Sequence, residues 1–299
     1  MTVLVIGGTG FVGRHVVHAL RADDRPVRAL VRDRRRGQRL ESWGAELVEG
    51  DVTAPESLRR AADGAQTVIH LVAIRQGREQ EFRRVMIEGL RNVLAAAGQA
   101  GVGRFVLMSA LGTTNETKDL VPYYHAKWEN EQDVKASDIP YVIFRPSFVF
   151  GRDGGILPTF TKVARLAPVT PIVGSGRQRL QPIWADDIAA YFARAVDHEP
   201  ATNRTFEVGG PEAVTWNEFW DRLKRVRGMR RPSVHMPVRL MRLNALVTER
   251  LPGNIPLTRD LLTMLEHGDN VVTDTSAVDV FRLPLVPLDE QLRRATAPT

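Results

Sequence analysis

Short apolar runs alternate with helical patterns through the first half of the chain. The β-branched run Thr2–Ile6 is typical of a buried strand, and apolar residues at helical spacing follow it from Phe11 to Leu20. The alternation continues, with further strands predicted at 27–31, 46–49, 67–72, 104–108 and 141–144 and helices at 37–43, 53–62, 79–100 and 123–137. Strands that alternate with helices predict a parallel sheet with right-handed crossovers and helices on both faces.

Glycine and proline become frequent after Arg145-Pro146, and this change predicts the domain organisation. A helix at 186–196 and a strand at 205–208 indicate that the chain later returns to the sheet. Residues 211–299 are mostly helical and irregular in pattern, with many prolines. The prediction is therefore an α/β fold: a sheet domain of residues 1–150 with 178–210 returning to it, and a smaller, mostly helical C-terminal lobe of residues 211–299 with 151–177 contributing.

Composition excludes several classes of protein. The 299 residues are 43% hydrophobic and 25% charged, as in an ordinary globular protein. The chain has no cysteine, which excludes disulfides, thiol nucleophiles and iron–sulfur clusters. Its seven histidines show neither HExxH nor paired HxH spacing, so no metal site is predicted.

The first residues do not resemble a signal peptide. Glycines interrupt the apolar start after a few residues, and a basic n-region and a cleavage site are lacking. No run approaches the roughly 18 apolar residues of a membrane span. We expect a cytoplasmic protein, with peripheral attachment at the inner face of the membrane left open.

A glycine-rich loop, GGTGFVG at 7–13, separates the first strand from the first helix. Without side chains the backbone can turn tightly and approach a pyrophosphate, and the helix N-terminus directs N–H groups and its positive dipole end at the same anion. The place of the loop between strand and helix favours this interpretation over a turn that only aids packing. The pattern predicts a Rossmann-type doubly wound sheet whose dinucleotide site contains Gly7, Thr9, Gly10, Phe11, Val12 and Gly13.

The residues after the second strand indicate which dinucleotide is bound. An acidic residue there accepts hydrogen bonds from the ribose hydroxyls of NAD. Arg32 is the first residue beyond the apolar run, and a guanidinium suits a 2′-phosphate through charge-assisted hydrogen bonds. NADP(H) is therefore the preferred cofactor, while Asp33 keeps NAD(H) open.

Tyr123 and Lys127 form a Tyr-x-x-x-Lys motif on one face of a predicted helix. A phenol is a poor base at neutral pH because its pKa is about 10, and a nearby ammonium lowers that pKa. Tyr123 would then exchange a proton with a carbonyl or alcohol while hydride moves. Lys127 would also donate to the nicotinamide ribose.

These motifs together resemble the extended short-chain dehydrogenase/reductases. The chain is most similar to an atypical branch that contains the NADPH-binding accessory subunit of respiratory complex I and its bacterial relatives. The motifs beside the glycine loop and the tyrosine–lysine pair are GDVT at 50–53, VIHLVA at 68–73, FVLMSALG at 105–112 and RPSFVFG at 145–151. The similarity covers residues 1–151 and continues through 176–210.

The resemblance implies further site residues. It places Asp51 and Val52 beside the adenine, and Pro146 and Ser147 near the nicotinamide. The other cofactor contacts that it implies follow the fourth strand, at Leu71, Val72 and Ala73.

Family members also place a serine or threonine after the fifth strand, where it donates to the substrate carbonyl. That position falls on Ala110 here. Ser109 precedes it and is the candidate for this catalytic role, since Thr113 or Thr114 would need a shift of the loop.

Other residues have a structural interpretation. His70, inside an apolar strand, is expected to be a hydrogen-bonded core histidine. Asp186 and Asp187 lie at a predicted helix start, where the dipole favours acidic residues. Trp216 and Trp220, four residues apart, are expected to pack in the core.

Residues 222–250 combine basic side chains with an apolar helix predicted at 238–247. Six basic residues lie at 222–231, and Arg239, Arg242 and Arg250 follow. Such a segment suits an anionic membrane or a hydrophobic substrate, and the alternative is a packed helix with a solvated basic face. Nucleic acid is not expected, because no reader motif is present and stacking aromatics are not interleaved.

Three functions follow from these observations. The first is an NADP(H)-dependent oxidoreductase that uses the tyrosine–lysine pair on a carbonyl, alcohol or quinone-like small molecule. The second is a non-catalytic, cofactor-binding structural or regulatory protein of a respiratory or quinone-related assembly. A nucleotide-sugar epimerase or dehydratase ranks last, because no sugar-diphosphate signature is evident in the C-terminal lobe.

Overall fold

The computed structural model describes residues 1–74, 76–248 and 258–297. The chain forms two compact units. The sheet unit comprises Met1–Pro146, Ala185–Val208 and Asp274–Pro284, and the small unit comprises Ser147–Trp184, Gly209–Thr273 and Leu285–Thr299. Residues 178–184, predicted with the sheet, therefore belong to the small unit, and Asp274–Pro284, predicted in the C-terminal lobe, belongs to the sheet unit.

The sheet unit is built on seven parallel strands, numbered in chain order through both units. They are β1 (Val3–Ile6), β2 (Val27–Val31), β3 (Glu46–Glu49), β4 (Thr67–His70), β5 (Arg104–Met108), β6 (Tyr141–Pro146) and β11 (Arg204–Val208). Their order is β11-β6-β5-β4-β1-β2-β3, and every neighbouring pair is parallel. The predicted Rossmann-type sheet, including the return of the chain to it, is confirmed.

Helices follow the strands of this unit, as the alternating pattern predicts. They are α1 (Phe11–Ala22), α2 (Arg34–Ser42), α3 (Pro55–Ala62), α4 (Glu79–Phe82), α5 (Gly89–Gln99), α6 (Pro122–Ala136), α8 (Ala185–Arg194) and α12 (Ser276–Phe281). A π-helical turn, Arg83–Glu88, joins α4 to α5. The predicted helix at 79–100 is therefore continuous but carries a wider turn in its middle.

Different helices bury the two faces of the sheet. On one face, Leu4 and Ile6 share a buried cluster with Leu58 of α3 and Leu90 of α5. On the opposite face, the ring of Phe144 lies against aromatic rings of α8 and α12. The partner rings are Tyr191, Phe192 and Phe281, with centroids 5.8, 5.0 and 5.5 Å away. The contact with Phe281 accounts for the presence of Asp274–Pro284 in the sheet unit.

The small unit contains pairs of short strands as well as helices. Its strands are β7 (Val149–Phe150), β8 (Thr170–Val173), β9 (Arg179–Leu180), β10 (Ile183–Trp184), β12 (Val214–Thr215) and β13 (Ser233–Met236), paired β10 with β7, β12 with β9 and β13 with β8. Its helices are α7 (Leu157–Leu166), α9 (Trp216–Val226), α10 (Val238–Thr248), α11 (Arg259–His267) and α13 (Leu288–Thr296). Among the residues described in both units, no helix is long and apolar enough to cross a membrane.

Candidate dinucleotide and catalytic site

The glycine loop turns directly from β1 into α1. Gly7 has a φ of +90°, a conformation that favours glycine, and its carbonyl accepts a hydrogen bond from the Gly10 N–H at 3.0 Å. Gly10 is the N-cap residue of α1, no side chain caps this helix, and its first turn holds no acidic residue. The unsatisfied N–H groups of this turn and the positive end of the dipole therefore face an anion site.

Two glycines of the loop allow backbone segments to touch. A Cβ at Gly13 would lie 2.1 Å from the Gly7 carbonyl oxygen, so α1 can approach the loop only without a side chain there. A Cβ at Gly7 would lie 3.1 Å from the Leu71 carbonyl carbon. Gly10 differs, because it is exposed and a Cβ there would meet only the Gly7 oxygen, at 3.1 Å. Space at Gly10 is thus left for a ligand.

The loop lies where the strand order reverses. Gly7 follows β1, and Leu71 follows the neighbouring β4. In open α/β sheets ligands bind in the crevice at this switch point. Leu71 and Val72 are half-buried and Ala73 is exposed, so the predicted cofactor contacts after β4 lie beside the predicted pyrophosphate loop.

The end of β2 separates the roles of Arg32 and Asp33. Asp33 is the N-cap residue of α2, and its carboxylate accepts hydrogen bonds from the N–H of Arg35 at 2.9 Å and from the Arg35 Nε at 3.3 Å. One oxygen of the carboxylate that would favour NAD, Oδ1, is therefore already used as a helix cap. Arg32 is exposed and forms no hydrogen bond within the part of the chain that the structure describes.

The GDVT turn holds an ionised carboxylate after β3. Burial alone would raise the pKa of Asp51, but hydrogen bonds from the Thr53 N–H at 2.8 Å and hydroxyl at 2.7 Å, together with the positive Arg32, lower it. Val52 is buried, and its carbonyl accepts from the Asn92 amide at 3.0 Å. Asp51 therefore lies close enough to the candidate 2′-phosphate residue to interact with its charge.

Helix α6 brings the tyrosine–lysine pair together. Lys127 is 1% exposed, and its Nζ lies 5.8 Å from the ring centroid of the half-buried Tyr123. The same ammonium donates to the Met108 carbonyl at the end of β5, at 2.5 Å. Both side chains thus lie on one face of α6, as predicted, and the lysine is held at the carboxyl end of β5.

Burial controls the charge of the lysine. Desolvation lowers the pKa of Lys127 to about 8, against the opposing effect of the negative Glu131 one helical turn away. The side chain is therefore still mainly an ammonium at neutral pH and loses its proton just above.

His70, at the end of β4, is neutral. It is fully buried, and burial together with the positive Lys127 lowers its pKa to about 3. Neither ring nitrogen has a hydrogen-bond partner among the described residues. The expectation of a hydrogen-bonded core histidine is wrong, although the ring packs on Phe105 at a centroid distance of 6.2 Å.

Ser109 belongs to a buried network around Glu131. Its hydroxyl donates to the Glu131 carboxylate at 2.6 Å, and Arg145 donates to both carboxylate oxygens, at 2.8 and 2.6 Å. Because Ser109 is 1% exposed and its proton is already donated, its geometry does not support the predicted catalytic role.

Glu131 and Arg145 are not among the site residues predicted from the sequence. The signal for Glu131 was its position four residues after Lys127, on the same face of α6. After β5, Thr113 is also fully buried, and its hydroxyl lacks a partner among the described residues.

Pro146 and Ser147 are adjacent but belong to different units. Pro146 ends β6, and its carbonyl accepts from the Leu111 N–H at 2.9 Å. Ser147 begins the small unit, where its hydroxyl donates to the side-chain oxygen of Asn270 at 2.5 Å. Within the described ranges no group of histidine and acidic side chains is arranged to hold a metal ion.

The strand order and the uncapped glycine loop at the switch point define a dinucleotide-binding protein of the Rossmann class. The chain belongs to the NAD(P)H-binding family, whose family model matches residues 7–199. The predicted NAD(P)(H) cofactor class is thereby confirmed.

Individual relatives agree with this membership. The chain is 36% identical over 190 residues to ceramide reductase of Caulobacter vibrioides, covering 63% of this chain and 58% of that protein. It is 28% identical over 309 residues to NADH dehydrogenase (ubiquinone) 1 alpha subcomplex subunit 9, mitochondrial, of Rattus norvegicus, covering 97% and 79%. The predicted resemblance to the branch containing the complex I accessory subunit is confirmed.

The fold has solved counterparts. The NADPH-dependent quinone oxidoreductase of Escherichia coli, solved with NADPH, superposes with a TM-score of 0.79 at 19% identity, covering 97% of this chain and 98% of that one. At this identity the similarity shows the fold alone.

We expect Gly10→Val to abolish NADPH binding while the fold is retained. The backbone at Gly10, with φ −73° and ψ 174°, is accessible to any residue, but a branched side chain would occupy the space before the α1 N-terminus. Fluorescence titration measures the binding, and circular dichroism the fold.

The matched control is Gly98→Val on α5, where an added Cβ meets nothing within 4 Å. Wild-type affinity in the Gly10 variant would place the nucleotide elsewhere.

Proposed function

We propose that the protein is an NADP(H)-dependent oxidoreductase that uses Tyr123 and Lys127 on a carbonyl, alcohol or quinone-like substrate. The observation that carries the proposal is the buried Lys127 beside Tyr123 at the carboxyl end of β5, in a chain that belongs to an NAD(P)H-binding family. When bound, the cofactor would supply or accept the hydride.

Different residues would bind different parts of the cofactor. The α1 N-terminus and the loop Gly7–Gly13 would hold the pyrophosphate, Asp51 and Val52 would flank the adenine, and Lys127 would donate to the nicotinamide ribose. The remaining predicted contacts are Leu71, Val72, Ala73, Pro146 and Ser147. All of these residues except Ser147 belong to the sheet unit, and the small unit would bind the substrate.

The preference for NADP(H) rests on the end of β2. Arg32 is exposed and without a hydrogen-bond partner among the described residues, whereas Asp33 caps α2. A 2′-phosphate would therefore find a cation there, whereas one of the two Asp33 carboxylate oxygens, Oδ1, is already engaged by Arg35.

We expect Arg32→Ala to weaken NADPH binding and to leave NADH binding unchanged. Loss of a charged hydrogen bond costs about 1.5–3 kcal/mol, or roughly 10- to 150-fold in the dissociation constant. Titration of both cofactors measures the effect. Arg36→Ala, exposed in the same basic run, is the control, and equal wild-type affinities for NADPH and NADH would contradict the preference.

The tyrosine would exchange a proton with the substrate oxygen. The Lys127 ammonium beside the ring favours the phenolate, so proton transfer depends on the lysine remaining charged. Ser109 takes no part in this proposal, because its hydroxyl donates to Glu131.

We expect Tyr123→Phe to lower the rate of NADPH oxidation by about 10²–10⁴-fold, the usual contribution of general acid–base catalysis. Because the pKa of Lys127 is about 8, its charge is present below that pH and lost above it, so the wild-type rate falls as pH rises through about 8. The loss of NADPH absorbance with a quinone, an azo dye and a ketone measures both effects.

Tyr141→Phe, at the start of β6, is the matched control. If NADPH binds but the wild type reduces none of these acceptors, the second candidate function gains: a cofactor-binding structural or regulatory protein of a respiratory or quinone-related assembly. A Tyr123 variant that keeps the wild-type rate would instead contradict the catalytic role of the tyrosine. The commitment of the Ser109 hydroxyl to Glu131 is the observation that favours it.

A further part of the proposal is that the protein is cytoplasmic and binds peripherally to the anionic inner face of the membrane. Val234, Leu240 and Leu243 are 38, 50 and 60% exposed. Exposed arginines lie nearby in sequence, at 225, 230 and 239. Apolar side chains with flanking cations suit an anionic lipid surface.

The basic segment is only partly available for this contact. Arg222 donates to Glu212 at 2.7 Å, Lys224 to the Ser233 hydroxyl at 2.8 Å and Arg231 to the Ala164 carbonyl at 3.0 Å. Arg242 pairs with Glu266, and Arg250 lies outside the described residues. The basic side chains of this segment are therefore divided between cations with structural partners and exposed cations.

We expect the protein to co-sediment with phosphatidylserine vesicles at low ionic strength and to dissociate at high ionic strength. Each exposed cation near an anionic surface contributes about 1 kcal/mol. Arg230→Glu with Arg239→Glu is expected to remove the binding, whereas Arg59→Glu on α3 of the sheet unit is not. Absence of binding at low salt would contradict the membrane proposal.

A further inference from the structure

The small unit contains a cavity of about 250 Å³. Helices α7, α9, α10 and α11 and strand β8 supply most of its lining. The lining is mainly apolar and includes Phe148, Phe160, Trp216, Trp220, Val238 and Met241. The two tryptophans, predicted as packing residues, thus pack in the core and also line this space.

The aromatic wall of the cavity is held by edge-on ring contacts. The ring centroid of Phe160 lies 5.5 Å from that of Trp216 and 5.3 Å from that of Trp220. The ring centroid of Phe148 lies 5.7 Å from that of Trp216. Because each ring is fixed by its neighbours, the cavity is preformed and a ligand would not have to order these side chains.

The polar groups of the lining are few and carry no unpaired charge. Thr159 and Gln178 are neutral, and neither side chain has a hydrogen-bond partner among the described residues. Glu266, also in the lining, forms an ion pair with Arg242. An uncharged ligand is therefore favoured, because burying a charge here would be uncompensated.

The volume of the cavity limits the size of the ligands that it can hold. An apolar cavity of about 150 Å³ is large enough for benzene, so this one has room for more than a single ring. It lies below the roughly 300–1,000 Å³ of pockets that enclose a drug-sized molecule. A nucleotide diphosphate would be too large and too charged.

We propose that this cavity binds an uncharged, hydrocarbon-rich ligand, a fused ring or short chain with one oxygen within reach of Thr159 or Gln178. That this ligand is the substrate rests on the proposed oxidoreductase function, whereas binding to the cavity does not. Under that function, the substrate class narrows from any carbonyl, alcohol or quinone to those with an uncharged, mainly apolar body.

The test uses the neutral probe N-phenyl-1-naphthylamine and the whole protein without cofactor. We expect a saturable fluorescence increase at one site per chain. The sulfonated analogue, 1-anilinonaphthalene-8-sulfonate, has the same rings with one negative charge, and we expect its dissociation constant to be at least ten times higher. No saturable binding of the neutral probe, or equal binding of both, would overturn the proposal.

A pair of variants on α10 locates the binding. Val238→Trp would fill the cavity and is expected to raise the dissociation constant of the neutral probe at least tenfold. Leu240→Trp makes the same substitution at an exposed position of the same helix and is expected to change nothing. An equal effect of both variants would place the probe outside the cavity.

Two further measurements keep the test decisive. If circular dichroism shows that Val238→Trp does not fold, Thr159→Phe on α7 fills the same space. NADPH titration of the cavity variants is expected to give wild-type affinity. Loss of probe binding with NADPH binding retained separates the cavity from the cofactor site, so failure of either proposal can be recognised without the other.

Discussion

The structure depends on how closely the backbone approaches itself at the carboxyl end of β1. A side chain at Gly13 would collide with the Gly7 carbonyl oxygen, and one at Gly7 would press on the backbone at Leu71. These contacts set α1 against the loop and the loop against the segment that leaves β4. They also leave the first turn of α1 uncapped and open at Gly10. The candidate anion site therefore results from tight backbone packing, and the first turn of the helix contains no acidic side chain that would repel the anion.

A second constraint is the balance of charge buried beside β5. Lys127 and Glu131 are 1% and 0% exposed, and isolated charges at such positions are costly. Glu131 is satisfied by Arg145 and Ser109, and Lys127 by the Met108 carbonyl. The carboxylate limits how far burial depresses the pKa of the lysine. A residue without contact to the cofactor would thus influence when the candidate catalytic residue is charged.

Local pattern predicted the strands of the sheet, their parallel direction and the glycine loop, because strand periodicity and glycine spacing are properties of short segments. The tyrosine–lysine pair was also predictable, since four residues along a helix lie on one face. Tertiary contacts were not predictable. Ser109 donates to a carboxylate 22 residues away, and Phe281 packs on Phe144 from a segment that looked like part of the lobe. The cavity was hidden for the same reason, because its walls come from four helices.

The π-helical turn at Arg83–Glu88 has a consequence for what one helix can cover. Before and within the turn, Phe82, Met86 and Ile87 share a cluster with Ala126 of α6, against which Tyr123 also packs. After it, Leu90 and Val93 join the main core under the sheet. The wider turn changes the angle about the helix axis between the two apolar surfaces. One continuous helix can therefore pack against two separate hydrophobic clusters.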